Sequence, residues 1–389
     1  MNNKFKISEA FKNEMVRNRR YLHQNPEIGF ELPITTKFIM EKLEEMGLEP
    51  VRVGKAGICA ILGKGGKTLL LRGDMDALPT EEINDLEFRS TNGHGHLCGH
   101  DIHTTILMGA AKLLKDNEKH LRGTVKLMFQ PAEEIGRGAK DMIQSGILNS
   151  PDVDLAMALH VDSRETVGII RYKEGISSAS MNSWRVEVQG KGGHSSTPHL
   201  AVDPLMIVNT IYTSLNALVG KEVDPFETAV LVIGKMGGGS AANIIPATAV
   251  LEGGVRCFNN DVRDHIVKRV DEIIDTTVKM LGGTYTVRRN GVPSIFNDGN
   301  ICKTMRPFIE EIIGEENVII NERPFSGTED FAYISAEVPS MHFFLGAGEE
   351  GSAPLHSPFV MFNEEVLPLG ATLLANCAIQ WLKENAGIK

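Results

Sequence analysis

The sequence predicts an α/β protein in which a discontinuous α/β domain with a mixed central sheet is interrupted by an inserted ferredoxin-like α+β domain. The chain's 389 residues exceed what one hydrophobic core normally organises, which points to two domains. Short apolar runs alternate with helical periodicity over the first 180 or so residues and again after Pro293, the pattern of strands buried between helices. Between Met181 and Ser294 the texture changes to a β-α-β-β-α-β order, that of a ferredoxin-like sandwich. The expected division is therefore 1–180 with 295–389 as one domain, and 181–294 as the insert.

Taken in order, Ile7, Phe11, Met15 and Leu22 recur on one helical face, and Phe38, Ile39, Leu43 and Met46 mark a second helix stopped by Gly47. Strands are expected at 68–71, 125–129 and 155–159, with a helix at 104–114. In the insert, Trp184, Val186 and Val188 alternate as a strand does, followed by a helix at 204–218, strands at 229–233 and 250–257, a helix at 262–281 and a strand at 285–287. A last helix is expected at 367–382. There is no internal repeat and no low-complexity tract.

Hydrophobic residues make up 42% and charged residues 23%, the balance of a globular chain. A net charge of −10 argues against nucleic acid as a partner, because phosphate binding needs clustered Lys and Arg. Segment 1–6 leads toward the first helix with no apolar signal region, and no apolar run is long enough to span a bilayer, so no membrane partner is expected. Cys59, Cys98, Cys257, Cys302 and Cys377 are odd in number and scattered, unlike a disulfide framework, and a cytoplasmic location is expected.

Four segments carry chemistry. Three leave the ends of apolar strands: Arg72-Gly73-Asp74-Met75-Asp76, Gln130-Pro131-Ala132-Glu133-Glu134, and Leu159-His160. The fourth is Cys98-Gly99-His100-Asp101-Ile102-His103. Ligands of open α/β sheets bind beyond the carboxyl ends of the strands, so these segments are expected to converge. Together they offer a thiolate, imidazoles and carboxylates, the donors that bind zinc and other divalent transition metals. Two adjacent carboxylates divide labour more readily than they share one ion, which assigns Glu134 to a metal and Glu133 to proton transfer.

Each residue also has a plainer explanation. His100 alone fits a structural histidine, Cys98 a small buried hydrophobe, and Glu133-Glu134 a solvated helix start after Pro131. The other four cysteines are expected to be packing, and His23 and His120 to be surface positions. Gly237-Gly238-Gly239 lacks phosphate-loop spacing.

The chain resembles the metallopeptidase family of aminoacylases and carboxypeptidase G, in particular its amidohydrolase branch of hippurate hydrolase, N-acetyldiaminopimelate deacetylase and the auxin-conjugate hydrolases. The resemblance rests on Leu22-His23-Gln24-Asn25-Pro26-Glu27, Arg72 to Pro79, Cys98-Gly99-His100-Asp101, Gln130 to Glu134, Gly192-Gly193-His194-Ser195-Ser196, Asn243-Ile244-Ile245-Pro246 and Leu355-His356-Ser357-Pro358. It implies that Cys98, His100, Glu134, His160 and His356 hold two divalent metal ions per subunit, Cys98 bridging them. Zinc or manganese is expected, with nickel or cobalt as alternatives.

By the same resemblance Glu133 is the general acid/base, Asp76 orients a ligand, and His194 stabilises the oxyanion. Asn243 and Arg256 hold the substrate's polar end, and the insert is a lid and dimerisation domain of a homodimer. The implied activity is hydrolysis of the amide bond of an N-acyl amino acid by water activated between the metals. The alternatives are a dipeptidase or aryl-amide (aminobenzoyl-glutamate-like) hydrolase, a cysteine nucleophile hydrolase using Cys98, and a non-catalytic metal-binding protein. This chain has Gly93-His94-Gly95-His96-Leu97 where relatives often carry a methionine-histidine-alanine stretch, and Gly253-Gly254-Val255-Arg256 where many carry Gly-Thr-Val-Arg.

Overall fold

Leu69 and Leu71 enter one apolar cluster while Leu70, between them, enters another, and the neighbouring strands repeat the alternation. Leu127 and Phe129 face the first cluster and Met128 the second; Met157 and Leu159 face the first, Ala156 and Ala158 the second. Sheet faces buried on both sides are why these segments read as continuous apolar runs.

The computed structural model describes Phe5 and residues 7–387. The expectation for segment 1–6 therefore lies outside the described residues, Phe5 excepted. The chain forms two compact units. One comprises the residues through Ser177, Ile295–Arg323 and the chain from Asp330 onward; the other comprises Ser178–Ser294 and Pro324–Glu329.

The first unit holds an eight-stranded mixed sheet. Across it run Val51–Val53, Gly57–Gly63, Thr124–Gln130, Thr68–Asp74, Leu155–Thr166, Ser340–Gly348, Ile170–Tyr172 and Val318–Ile320. Its four central strands, Thr124–Gln130 to Ser340–Gly348, are parallel. The helix Glu9–Gln24 begins after Ser8, whose side chain accepts the Phe11 N–H, so Ile7 packs on the core from outside the helix. The helix Pro33–Glu45 ends before Gly47, which takes φ +75°.

The second unit is the ferredoxin-like α+β domain. Four antiparallel strands lie in the order Ala229–Gly238, Thr248–Cys257, Ser180–Gln189, Thr284–Val292. The helices Pro204–Glu222 and Asn260–Met280 bury Ile207, Ile211, Leu215, Ile266, Val270 and Ile274 against Val186, Val188 and Leu251. No helix among the described residues is long and apolar enough to cross a membrane.

Candidate metal centre

Parallel pairing sets Asp74 opposite Gln130, and Thr68–Asp74 also pairs with Leu155–Thr166. Asp76, Glu133 and Glu134 thus leave the carboxyl ends of two neighbouring central strands, while His160 lies within Leu155–Thr166, which continues past the expected end at Leu159, two residues beyond the Ala158 that pairs with Arg72. Cys98 and His100 flank Gly99, which has φ +89° and would place a Cβ 2.4 Å from Val161 Cγ2. Only glycine fits there, and the helix His100–Asp116 starts directly after it. Ala132 and His356 also adopt left-handed backbone, at φ +56° and +67°. Such strain persists where surrounding bonds hold it. The Ala132 carbonyl accepts the N–H groups of Arg137 and Gly138, and the His356 N–H donates to Leu97 O at 2.8 Å.

Cys98 Sγ lies 3.4 Å from His160 Nε2 and 3.3 Å from His356 Nε2. His356 Nε2 is 3.6 Å from Glu134 Oε2, and His100 Nε2 is 3.9 Å from both Glu134 Oε1 and Glu133 Oε2. The donors form two groups that share the thiol, Cys98 with His100 and His160, and Cys98 with Glu134 and His356; within each, all ligand atoms lie within 4.8 Å of one another. His100, Glu133 and Glu134 form a further such group.

His100 Nε2 and Glu134 Oε1 are buried without a hydrogen bond. Orphaned polar atoms of this kind are costly unless a cation satisfies them. Burial, reinforced by Glu134, pushes the Cys98 thiol well up, and burial raises Glu134 to about 7. Burial opposes charge on His100, but Asp74 and Cys98 outweigh it and raise its pKa; burial and His103 hold that of His160 down. A divalent cation would offset the burial of thiolate and carboxylate alike. Thiol, imidazole and carboxylate donors in two groups fit a pair of divalent metal ions.

Around these donors the main chain is pinned. His100 Nδ1 donates to the Asp76 carbonyl at 2.9 Å, and His160 Nδ1 to the Val161 carbonyl at 2.8 Å, so both rings present Nε2 to the cluster. The Asp76 carboxylate accepts the N–H groups of Glu133 at 3.0 Å and Glu134 at 3.3 Å. Asp76 therefore holds His100 through its backbone and the Glu133-Glu134 turn through its side chain. Those two glutamates lie in a turn, and the following helix starts at Gly138, so they are not a helix N-terminus.

His23 corrects the expectation of a surface position: it is buried, with Nδ1 2.8 Å from Asp101 Oδ2 and Nε2 3.0 Å from Glu82 Oε2. Arg19 Nε also lies 2.8 Å from Asp101 Oδ2, and His96 and Phe88 flank the imidazole. Burial and Arg19 oppose charge on His23, but the bonds to Asp101 and Glu82 win and raise its pKa. A raised folded-state pKa stabilises the fold fully below the unfolded value of about 6.5, and that contribution is lost as pH rises through the folded value. The thermal midpoint of His23→Gln is expected to fall furthest below wild type near pH 6, the gap narrowing toward alkaline pH. A gap that stays constant across that range would show that the pair is not ionised. The other four cysteines are buried and free, and His120 is exposed.

In the second unit, Gly193–His194 pairs antiparallel with Ile244–Ile245, and the Ser195 N–H donates to the Asn243 carbonyl at 3.1 Å. His194 and Asn243 are thus neighbours, both exposed. His194 Nδ1 accepts the Ser196 N–H at 3.1 Å, which leaves Nε2 as the donor. An open groove of about 610 Å³ is lined by His194, Gly239, Ser240, Ile244 and Pro246 among others. Arg256, exposed on the Thr248–Cys257 strand, donates to the Ser326 carbonyl at 3.4 Å within the same unit.

Known proteins share this architecture. The chain is 36% identical to IAA-amino acid hydrolase ILR1-like 4 of Arabidopsis thaliana, over 95% of this chain and 86% of that protein. It is 34% identical to hippurate hydrolase of Campylobacter jejuni, over 95% of this chain and 97% of that protein. The crystal structure of the Bacillus subtilis YXEP protein, described as a dinuclear metal binding peptidase of the M20 family, superposes with a TM-score of 0.79 at 30% identity, covering 97% of this chain and 99% of that one. With residues 70–380 matching Peptidase family M20/M25/M40 and these relatives aligned nearly end to end, the chain belongs to that family.

Proposed function

We propose that this chain is a metal-dependent amidohydrolase that removes the acyl group from N-acyl amino acids. The observation that supports it most is the pair of donor groups joined at Cys98 with the Glu133 carboxylate beside them. Cys98, His100 and His160 would hold one cation, and Cys98, Glu134 and His356 the other. Bound there, zinc or manganese supplies Lewis acidity that polarises the amide carbonyl and acidifies water. Glu133 takes the proton from the attacking water and returns it to the leaving nitrogen. Asp76 keeps both glutamates and His100 in place. Cys98 is a poor candidate for a nucleophile, since burial holds its proton on and His100 lies on the same turn.

The test is turnover of a panel of N-acyl amino acids, dipeptides and aminobenzoyl-glutamate by protein reconstituted with manganese or zinc. Preference for N-acyl amino acids, abolished by chelation and restored by metal, is expected. Activity on dipeptides alone would move the chain to the peptidases.

The insert 181–294, which makes up most of the second unit, is the proposed lid and dimerisation domain. Its edge strand Ala229–Gly238 exposes Val230, Val232 and Met236, an apolar edge that a second copy would cover. His194 would stabilise the oxyanion through Nε2–H, and Asn243 and Arg256 would bind the substrate's polar end, Arg256 through a fork to the carboxylate. Should His194 serve the partner's site, mixing inactive His194→Ala and Glu133→Gln proteins restores part of the activity. No recovery in verified mixed dimers would confine His194 to its own chain. Five free cysteines suit a reducing compartment, and the cytoplasm is the proposed setting.

A further inference from the structure

Arg72 is a fully buried cation two residues before the end of a central strand. Its Nη1 lies 2.6 Å from Asp74 Oδ2 and its Nη2 3.2 Å from Asp330 Oδ1, while Nε donates to Gln130 Oε1 at 2.9 Å. Each carboxylate leads to one side of the metal centre. Asp330 also accepts Gln130 Nε2 at 2.6 Å and the Ala139 N–H at 3.0 Å, and with its side chain so tied its own N–H donates to Glu133 Oε1 at 3.3 Å. Asp74 accepts His103 Nδ1 at 2.6 Å, and His103 Nε2 accepts the N–H of Val161, the residue after His160, at 2.9 Å. The His103 and His160 rings meet edge-on with centroids 4.5 Å apart.

A guanidinium suits this place for a physical reason. Two carboxylates without solvent need a cation that stays charged and reaches both, and the planar fork of arginine does so with fixed donors where an ammonium offers one point charge. Asp74, His100 and His103 are themselves close enough to hold a cation, and the Asp74 oxygen nearest His100 is the one that Arg72 engages.

We propose that Arg72 is a positioning residue for the reaction: through Asp330 it fixes the N–H that aims Glu133, and through Asp74 and His103 it fixes the stretch of strand that carries His160. The inference rests on Glu133 being the base. It predicts that damage to the Asp330 arm is felt only while Glu133 is a carboxylate.

The experiment is a mutant cycle in the full-length, metal-reconstituted protein. Asp330→Asn keeps the side chain's size, and turnover is expected to fall about 10- to 100-fold with KM and metal content unchanged, as small misplacements of a reacting group do. In Glu133→Gln the same substitution should cause no further loss, because its route to the chemistry is already gone. Arg72→Lys should lower turnover in wild type and by a smaller factor in Glu133→Gln, where only its Asp74 arm still acts. It carries the test if Asp330→Asn does not fold. Wild-type turnover in the folded variants, or equal fractional losses in both backgrounds, would overturn the positioning role alone. Full activity of Glu133→Gln by itself would overturn the base assignment with it.

Discussion

Glu133→Gln is expected to lower turnover by about two to four powers of ten, the usual contribution of a placed general base, with metal content unchanged. The substitution keeps size and one acceptor oxygen, so the Asp330 N–H retains a partner and the turn held by Asp76 persists. What disappears is a group that can take a proton from water and give it to a leaving nitrogen. KM should move little, since a step made only in the transition state lowers kcat and kcat/KM together. Elemental analysis separates this from a ligand role. Glu133 Oε2 is as near His100 Nε2 as Glu134 Oε1 is, so geometry allows Glu133 to reach a cation as well. Loss of metal in Glu133→Gln would make it a ligand, and wild-type turnover in a folded, fully loaded variant would take it out of the mechanism.

Much of the centre was legible because its residues sit where apolar runs stop. Asp76 and Glu133 each follow a strand that reads as buried on both faces, and His160 ends the apolar run of a third, which itself continues to Thr166; such positions point to one crevice. The insert was legible too, since its helices carry one apolar face and its strands alternate. Other parts gave no local signal. The strand Ser340–Gly348 pairs with Leu155–Thr166 far away in sequence, and a run holding His342 and two glycines resembles a loop until that partner is known. The helix Gly299–Ile313 contains Pro307, which reads as a break.

Charge misled most. Arg72 and Asp330 belong to types that are normally exposed and His23 to one that is intermediate, and their burial makes sense only with their partners. Asp330, one of the partners of Arg72, is 258 residues away, a distance over which no periodicity speaks.

Cys98→Ala is expected to remove both metals rather than one. The thiol is the only donor common to the two groups, so its loss leaves His100 with His160 on one side and Glu134 with His356 on the other, two donors each. Loss of a mere outer-shell partner lowers metal affinity about 10- to 100-fold, and loss of a shared ligand should exceed that for both ions. Dialysed protein should therefore go from two metals per chain toward none, and turnover should vanish with them. Stability gives an independent readout, because whatever binds the folded state raises its thermal midpoint. Chelation should lower the midpoint of wild type and leave Cys98→Ala unmoved. Cys302→Ala serves as the control, since that thiol is buried in the apolar core away from the cluster. It should keep both metals whatever it costs in packing. If Cys98→Ala binds two ions as wild type does, the thiol is packing like the other four, and the centre must be rebuilt around Glu133 and Glu134.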